Sequence, residues 1–242
     1  MKINIAYLYP LLLNIYGDRG NIIAFTHRCL WRGIQVEAHE INLGDKIDPE
    51  KYDFYFIGGG QDQQQIAVSE EFQKQKQFLV EAAETKAVFL SICGGYQLLG
   101  HYYKPHQGDE LKGISILDAY TVAGHNRFIG NVTVETNLLA GNVNTLTGFE
   151  NHSGLTYLEQ GTEAIGRIIV GNGNNGKDKT EGARKNNVFG AYLHGSFLPK
   201  NPHFTDYLIK LSLERNYGQQ ELPCLDDKFE WAAHNKAVKR KY

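Results

Sequence analysis

The sequence predicts an α/β fold with a mostly parallel central sheet, helices on both of its faces and an antiparallel extension. Three observations carry this. Ala87 to Ile92 is a nearly all-apolar run, as expected of a strand buried on both faces of a parallel sheet. The first hundred residues read as strand, helix, strand, strand, helix, strand, sharp turn, helix. Beyond Gly100 strand-like segments follow one another with no helix between them.

Lys2 to Tyr9 reads as a first buried strand, ended by Pro10, which cannot continue a central ladder. The turn cluster Tyr16-Gly17-Asp18-Arg19-Gly20-Asn21 leads into a helix from about Asn21 to Arg32, with Ile22, Ile23, Phe25, Thr26, Cys29 and Leu30 on its inner side, stopped by Gly33. Ile34 to Ile41 is the second strand. Tyr52 to Ile57 is the third and runs into Gly58-Gly59-Gly60, where backbone amides can come close to a ligand at the carboxyl end of a strand. Gln61 to Gln65 supplies polar groups after these glycines, and a helix from about Ser69 to Glu84 returns the chain to the strand at Ala87.

Past Gly100, Ile114 to Ala123 and Arg127 to Thr136 read as antiparallel strands linked by a Gly124-His125-Asn126 turn. Gly148 to Gly154 is a glycine-bounded polar loop carrying His152, and Ile165 to Val170 is another strand. Gly171 to Asn187, nearly devoid of apolar side chains, is predicted to be an exposed loop. Asn187 to Leu193 is a strand that delivers His194-Gly195. Asn201-Pro202 opens a helix that Gly218 stops, and a last short helix runs from Phe229 to about Lys239.

The chain has 242 residues, enough for one large domain or two small ones, and a single domain over 1–242 is the reading adopted. A formal charge of -2 without charge blocks calls for neither nucleic acid nor an anionic membrane surface. Cys29, Cys93 and Cys224 lie far apart and show no metal spacing, so no metal site and no disulfide framework is expected, and a reducing cytoplasm fits. The apolar start is interrupted at Asn14 and Gly17 before it reaches the length of a signal or a span.

The chemistry is concentrated at Ile92-Cys93-Gly94-Gly95-Tyr96-Gln97-Leu98-Leu99-Gly100. A cysteine between a strand and a helix, followed by two glycines, has the spacing of a nucleophile elbow, and the helix start favours thiolate there. A buried structural cysteine needs no such glycines. Of the nine histidines, His194 alone follows an apolar strand and precedes a glycine, which makes it the best base for Cys93; His152 is the rival. The amide of Gly94, paired with that of Gly59 or Gly60, is the natural oxyanion hole. Asp18 is the best internal candidate for a third, orienting carboxylate.

These residues carry a resemblance. The elbow at Cys93, with Tyr192-Leu193-His194-Gly195 about a hundred residues later, resembles the class I glutamine amidotransferases in their cobyric-acid-synthase-like branch. Tyr16 to Asn21, Gly58 to Asp62, Arg127-Phe128-Ile129-Gly130-Asn131 and Gly148 to His152 are similar to the glutaminase subunits of lipid II isoglutaminyl synthases. The resemblance implies a three-layer, flavodoxin-like fold and hydrolysis of glutamine through a thioester on Cys93, with His194 as base and then acid. It places Arg127 on the substrate carboxylate and Gln97 in the substrate site. It further implies a heterodimer with a Mur-ligase-like partner of the MurT kind, which uses ATP and Mg while this chain holds no cofactor, in the cytoplasm near the lipid II-bearing face of the membrane.

Two departures stand out. Ser91 replaces a glycine that many class members have, and Leu193-His194-Gly195-Ser196-Phe197 lacks the acid that commonly follows the histidine. The triad is then a dyad, or is completed by Asp18 or by a partner's carboxylate. No P-loop is present, so ATP chemistry would reside in another chain. The alternatives are a subunit of another class I system such as a cobyrinate-type amidase, a cysteine hydrolase unrelated to glutamine, and a non-catalytic regulatory domain of the same fold.

Overall fold

A computed structural model describes residues 1–139 and 143–240. The chain runs β1 (Lys2–Leu8), α1 (Arg19–Leu30), β2 (Gln35–Ile41), β3 (Phe54–Ile57), α2 (Asp62–Glu84), β4 (Val88–Ile92) and α3 (Gly94–Leu99). The next elements are β5 (Tyr102–Lys104), β6 (Leu111–Lys112), β7 (Ala119–Glu135), β8 (Thr145–Leu158), β9 (Gly166–Val170), β10 (Thr180–Glu181), β11 (Ala183–Lys185), β12 (Val188–Ala191), α4 (Pro202–Tyr217) and α5 (Lys228–Val238).

The central sheet has the order β11-β12-β4-β3-β1-β2, parallel throughout except for the edge strand β11. Every residue of β3 and β4 is buried, as their apolar runs require, and Phe25 of α1 stacks on Phe54 while Tyr55 stacks on Phe89. Two register pairs decide where the site lies. Ile57 pairs with Ser91 and Ala191 with Ile92, so the glycines after β3, Cys93 after β4 and His194 after β12 leave the sheet side by side at its carboxyl edge.

The antiparallel extension forms a second sheet, in which β8 pairs along the whole of β7. Here the sequence expectation is corrected: β7 is one strand, and Gly124-His125-Asn126 is no turn. The pairing register instead shifts between Ala123 and Phe128, where Gly124 to Arg127 bulge out opposite Ser153 alone. A bulge and a turn use the same small and polar residues, and hydrophobic pattern does not separate them.

Gly148 to Gly154 is likewise strand β8 rather than a loop. Its buried positions are polar and find polar partners: Glu150 accepts from the backbone of Asn172 and Gly173, and His152 bonds to Gly154. The expected exposed loop at 171–187 is ordered around buried Asn174, Asn175 and Glu181. The Asn174 amide donates to the Gly182 carbonyl and accepts from the Gly182 N–H, completing with a side chain what a ladder would do with backbone.

Smaller corrections follow from packing. α2 starts at Asp62 rather than Ser69, since glutamines are good helix formers. Ile23 and Leu30 of α1 face outward, and Arg28 is buried in their stead, paired with Asp206 and Asp227. Asn201 precedes α4 without capping it, since its side chain bonds both backbone groups of Thr147 on β8.

Candidate active site

Cys93 has φ 51 and ψ -105, in the region side chains avoid, between the end of β4 and the start of α3. Its neighbours leave no alternative to glycine at position 95 and crowd position 94 with the end of the Gln65 side chain. A Cβ at Gly95 would lie 2.5 Å from Ile57 Cγ2 and 2.9 Å from the Gly58 oxygen, and one at Gly94 would lie 2.1 Å from Gln65 Nε2. Cys93 is 7% exposed and lines a cavity of about 490 Å³, a size that suits a small ligand.

His194 is fully buried, and its backbone is pinned to β8 by reciprocal bonds with Phe149 at 2.8 and 3.2 Å. A Cβ at Gly59 would be 3.0 Å from the imidazole Cε1 and 3.3 Å from Cys93 Cβ, so the imidazole and the thiol share one corner. Asp18, also fully buried, places Oδ1 3.5 Å from His194 Nδ1. Burial opposes a charge on His194, but the electrostatic and hydrogen-bonding influence of Cys93 and Asp18 beside it outweighs burial and pushes its pKa up to about 10.

Cys93, His194 and Asp18 are thus brought together from three loops. Gly59, expected in the oxyanion hole, is not available for it: its N–H donates to Asp18 Oδ2 at 2.7 Å. The N–H groups of Gly60 and Gly94 have no acceptor among the described residues, and Gly60 lines the cavity. Arg127 stands at the cavity mouth, its Nε donating to Asn151 at 2.6 Å and its terminal nitrogen to the Tyr16 hydroxyl at 3.3 Å.

Gln97 lines the cavity, but its amide is engaged in the wall: Oε1 accepts from Gln65 at 3.1 Å and Nε2 donates to the Tyr192 hydroxyl at 3.1 Å. His152, the rival base, bonds the Gly154 carbonyl through Nδ1, and burial pulls its pKa down to about 3. It suits proton transfer at neutral pH far less than His194 does.

Four contributors were missed from sequence. In the sequence Gln65 reads only as part of a polar run; Tyr16, edge-on to the His194 ring at 5.0 Å, and Asn151 only as motif residues; Ser196, which donates to the Gly17 carbonyl and ties the Asp18 turn to the His194 turn, only as the absence of an acid. Among the described residues one group, His101, Asp118 and Glu159, has metal-ligand spacing, and none of the three lines this cavity.

A strand-end cysteine, a buried histidine and an acid at one sheet edge make the nucleophile, base and orienting group of a covalent-catalysis site. The chain belongs to the CobB/CobQ-like glutamine amidotransferase domain family, which matches residues 4–202. Among its relatives, the lipid II isoglutaminyl synthase (glutamine-hydrolyzing) subunit GatD of Staphylococcus aureus is 42% identical, over 94% of this chain and 91% of that protein. The GatD subunit of Streptococcus pneumoniae is 36% identical, over 93% and 86%. Similar folds include a glutamine amidotransferase from Thermotoga maritima (TM-score 0.57, 15% identity, 97% of this chain and 93% of that one). The glutaminase domain of Trypanosoma brucei CTPS with bound acivicin is another (TM-score 0.54, 12% identity, 93% and 98%).

Proposed function

We propose that this chain, acting as one domain over residues 1–242, is the glutaminase subunit of a lipid II isoglutaminyl synthase. The Cys93 sulfur attacks the side-chain amide carbon of L-glutamine, and the carbonyl oxygen takes up the electron pair, facing the N–H groups of Gly60 and Gly94. The intermediate collapses, the C–N bond breaks, and His194 Nε2 gives its proton to the departing nitrogen, so that ammonia leaves and a γ-glutamyl thioester remains. Water then attacks the thioester carbon as His194 takes its proton; the C–S bond breaks, releasing glutamate and restoring the cysteine. Asp18 holds the Nδ1 proton in place throughout. Arg127 receives the substrate carboxylate.

Ammonia passes to a separate Mur-ligase-like subunit, MurT, where ATP and Mg activate the α-carboxyl of D-glutamate in lipid II for conversion to D-isoglutamine. This chain needs no cofactor of its own and works in the cytoplasm beside the membrane. No helix among the described residues is long and apolar enough to cross one. The observation that carries the reading is the positive-φ cysteine facing the cavity, directly beside an imidazole backed by a buried carboxylate. Cys93→Ala is expected to abolish glutamate release from L-glutamine while leaving the fold and any copurifying subunit in place. Undiminished release from that variant would end the reading.

A further inference from the structure

One wall of the cavity carries polar atoms that the proposed chemistry leaves unused. His152 is 3% exposed, its ring stacked flat on Tyr192 at 3.5 Å and edge-on to Phe128. Nδ1 lies 2.8 Å from the Gly154 carbonyl oxygen, and a carbonyl only accepts, so the ring proton sits on Nδ1. A second proton on Nε2 would charge a largely buried group close to His194 and Arg127; burial first, then their charges, keep the ring neutral. Nε2 is a bare lone pair, buried, on a cavity-lining residue, with no partner among the described residues.

Gln65 repeats the pattern. It is 3% exposed, Nε2 donates to Gln97, and Oε1 is buried without a partner among the described residues. The two acceptors belong to one wall: Gln65 bonds Gln97, and Gln97 Nε2 sits 2.3 Å from where a Cβ of Gly154 would be, beside the carbonyl that holds His152. Buried acceptors left unpaired are costly and few in native proteins, and here both belong to residues that line a ligand cavity.

Resting on the glutaminase reading above, we infer that His152 Nε2, together with Gln65 Oε1, receives the α-ammonium of the substrate while Arg127 receives the carboxylate on the same carbon. Glutamine has two groups that donate N–H bonds. The carboxamide must reach Cys93, and the ammonium must stay within one carbon of the carboxylate; Arg127 lines the same cavity and precedes Phe128, which pairs with His152 across β7 and β8, so it marks that end of the ligand. The site therefore selects a free, zwitterionic α-amino acid. A peptide-bound glutaminyl residue or a des-amino acid lacks the donors this wall is shaped for.

The test compares L-glutamine with glutaramate, the same acid without its amino group, on protein purified with whatever subunit accompanies it. His152→Phe keeps a flat ring on Tyr192 and removes both nitrogens. Its kcat/KM for L-glutamine is expected to fall roughly 10- to 100-fold, with that for glutaramate changed by less than about threefold. His152→Gln, which returns an acceptor near the Nε2 position, is expected to restore part of the preference. Equal loss on both substrates, as damage at Tyr192 would give, or an unchanged preference overturns the inference. If the phenylalanine variant does not fold, the wild type decides: equal kcat/KM for the two substrates means no ammonium subsite. Hydrolysis that does not depend on Cys93 overturns the glutaminase reading itself and this inference with it. Cys93-dependent hydrolysis without preference overturns the inference alone.

Discussion

Asp18→Asn is nearly isosteric yet should reverse the proton arrangement of the site. The Gly59 N–H donates to Asp18 Oδ2 at 2.7 Å, and only an oxygen can accept it, so the asparagine carbonyl is held at that position. Its NH2 group then occupies the place of Oδ1, 3.5 Å from His194 Nδ1, and presents a donor where the acid presented an acceptor. His194 responds by carrying its single proton on Nε2, the tautomer that cannot take a proton from Cys93 or from water. The carboxylate also contributes to the rise of His194 from 6.5 to about 10, a preference for imidazolium worth on the order of several kcal/mol in all, shared with Cys93. Turnover of L-glutamine should therefore fall by roughly 100- to 10,000-fold, with KM little changed. The His194 ring signals followed by NMR should titrate at lower pH than in the wild type. A variant that retains kcat within about threefold and an unaltered His194 titration would refute the placement of Asp18 behind the base.

Two further outcomes follow from buried groups around the site. Glu181 is fully buried and burial raises its pKa from 4.5 to about 8, while Oε1 accepts the Tyr192 N–H at 2.7 Å. A raised carboxyl stabilises the fold fully below its unfolded pKa and loses that contribution as pH rises through 8. Glu181→Gln keeps an acceptor for Tyr192 without an ionisable group, so thermal melts should show the wild type losing stability relative to the variant between about pH 5 and 8; parallel curves would contradict this. Gly95→Ala would drive a methyl into Ile57 and the Gly58 carbonyl and should cost about 1–3 kcal/mol in a urea titration. Gly94→Ala meets the movable end of Gln65 and should cost less stability, and an equal loss from both would speak against the elbow packing.

The parallel core was legible because β3 and β4 are buried on both faces and read as unbroken apolar runs. From that sheet came the juxtaposition of Cys93 and His194, since each follows a strand whose carboxyl end lies on the same edge. The antiparallel half was harder. β8 buries Glu150 and His152, and 171–187 buries asparagines, so their ordering forces are side-chain hydrogen bonds that resemble loop composition in a sequence. In the sequence Gly59 and Gly60 are equivalent candidates for the oxyanion; only the direction of each N–H tells them apart, and that of Gly59 points at Asp18. Ser196 shows the opposite limit. The missing acid after His194 was visible, but not that a serine there draws in the turn bearing an acid from elsewhere.

The central claim is that Cys93 is a nucleophile facing a ligand cavity that takes glutamine. Its most direct measurement is mass-spectrometric mapping of the protein after exposure to acivicin, an electrophilic glutamine analogue. The account predicts a single adduct on Cys93, suppressed by L-glutamine and slowed in His194→Ala. An adduct confined to exposed Cys224, or one on Cys93 that L-glutamine does not suppress, would contradict it.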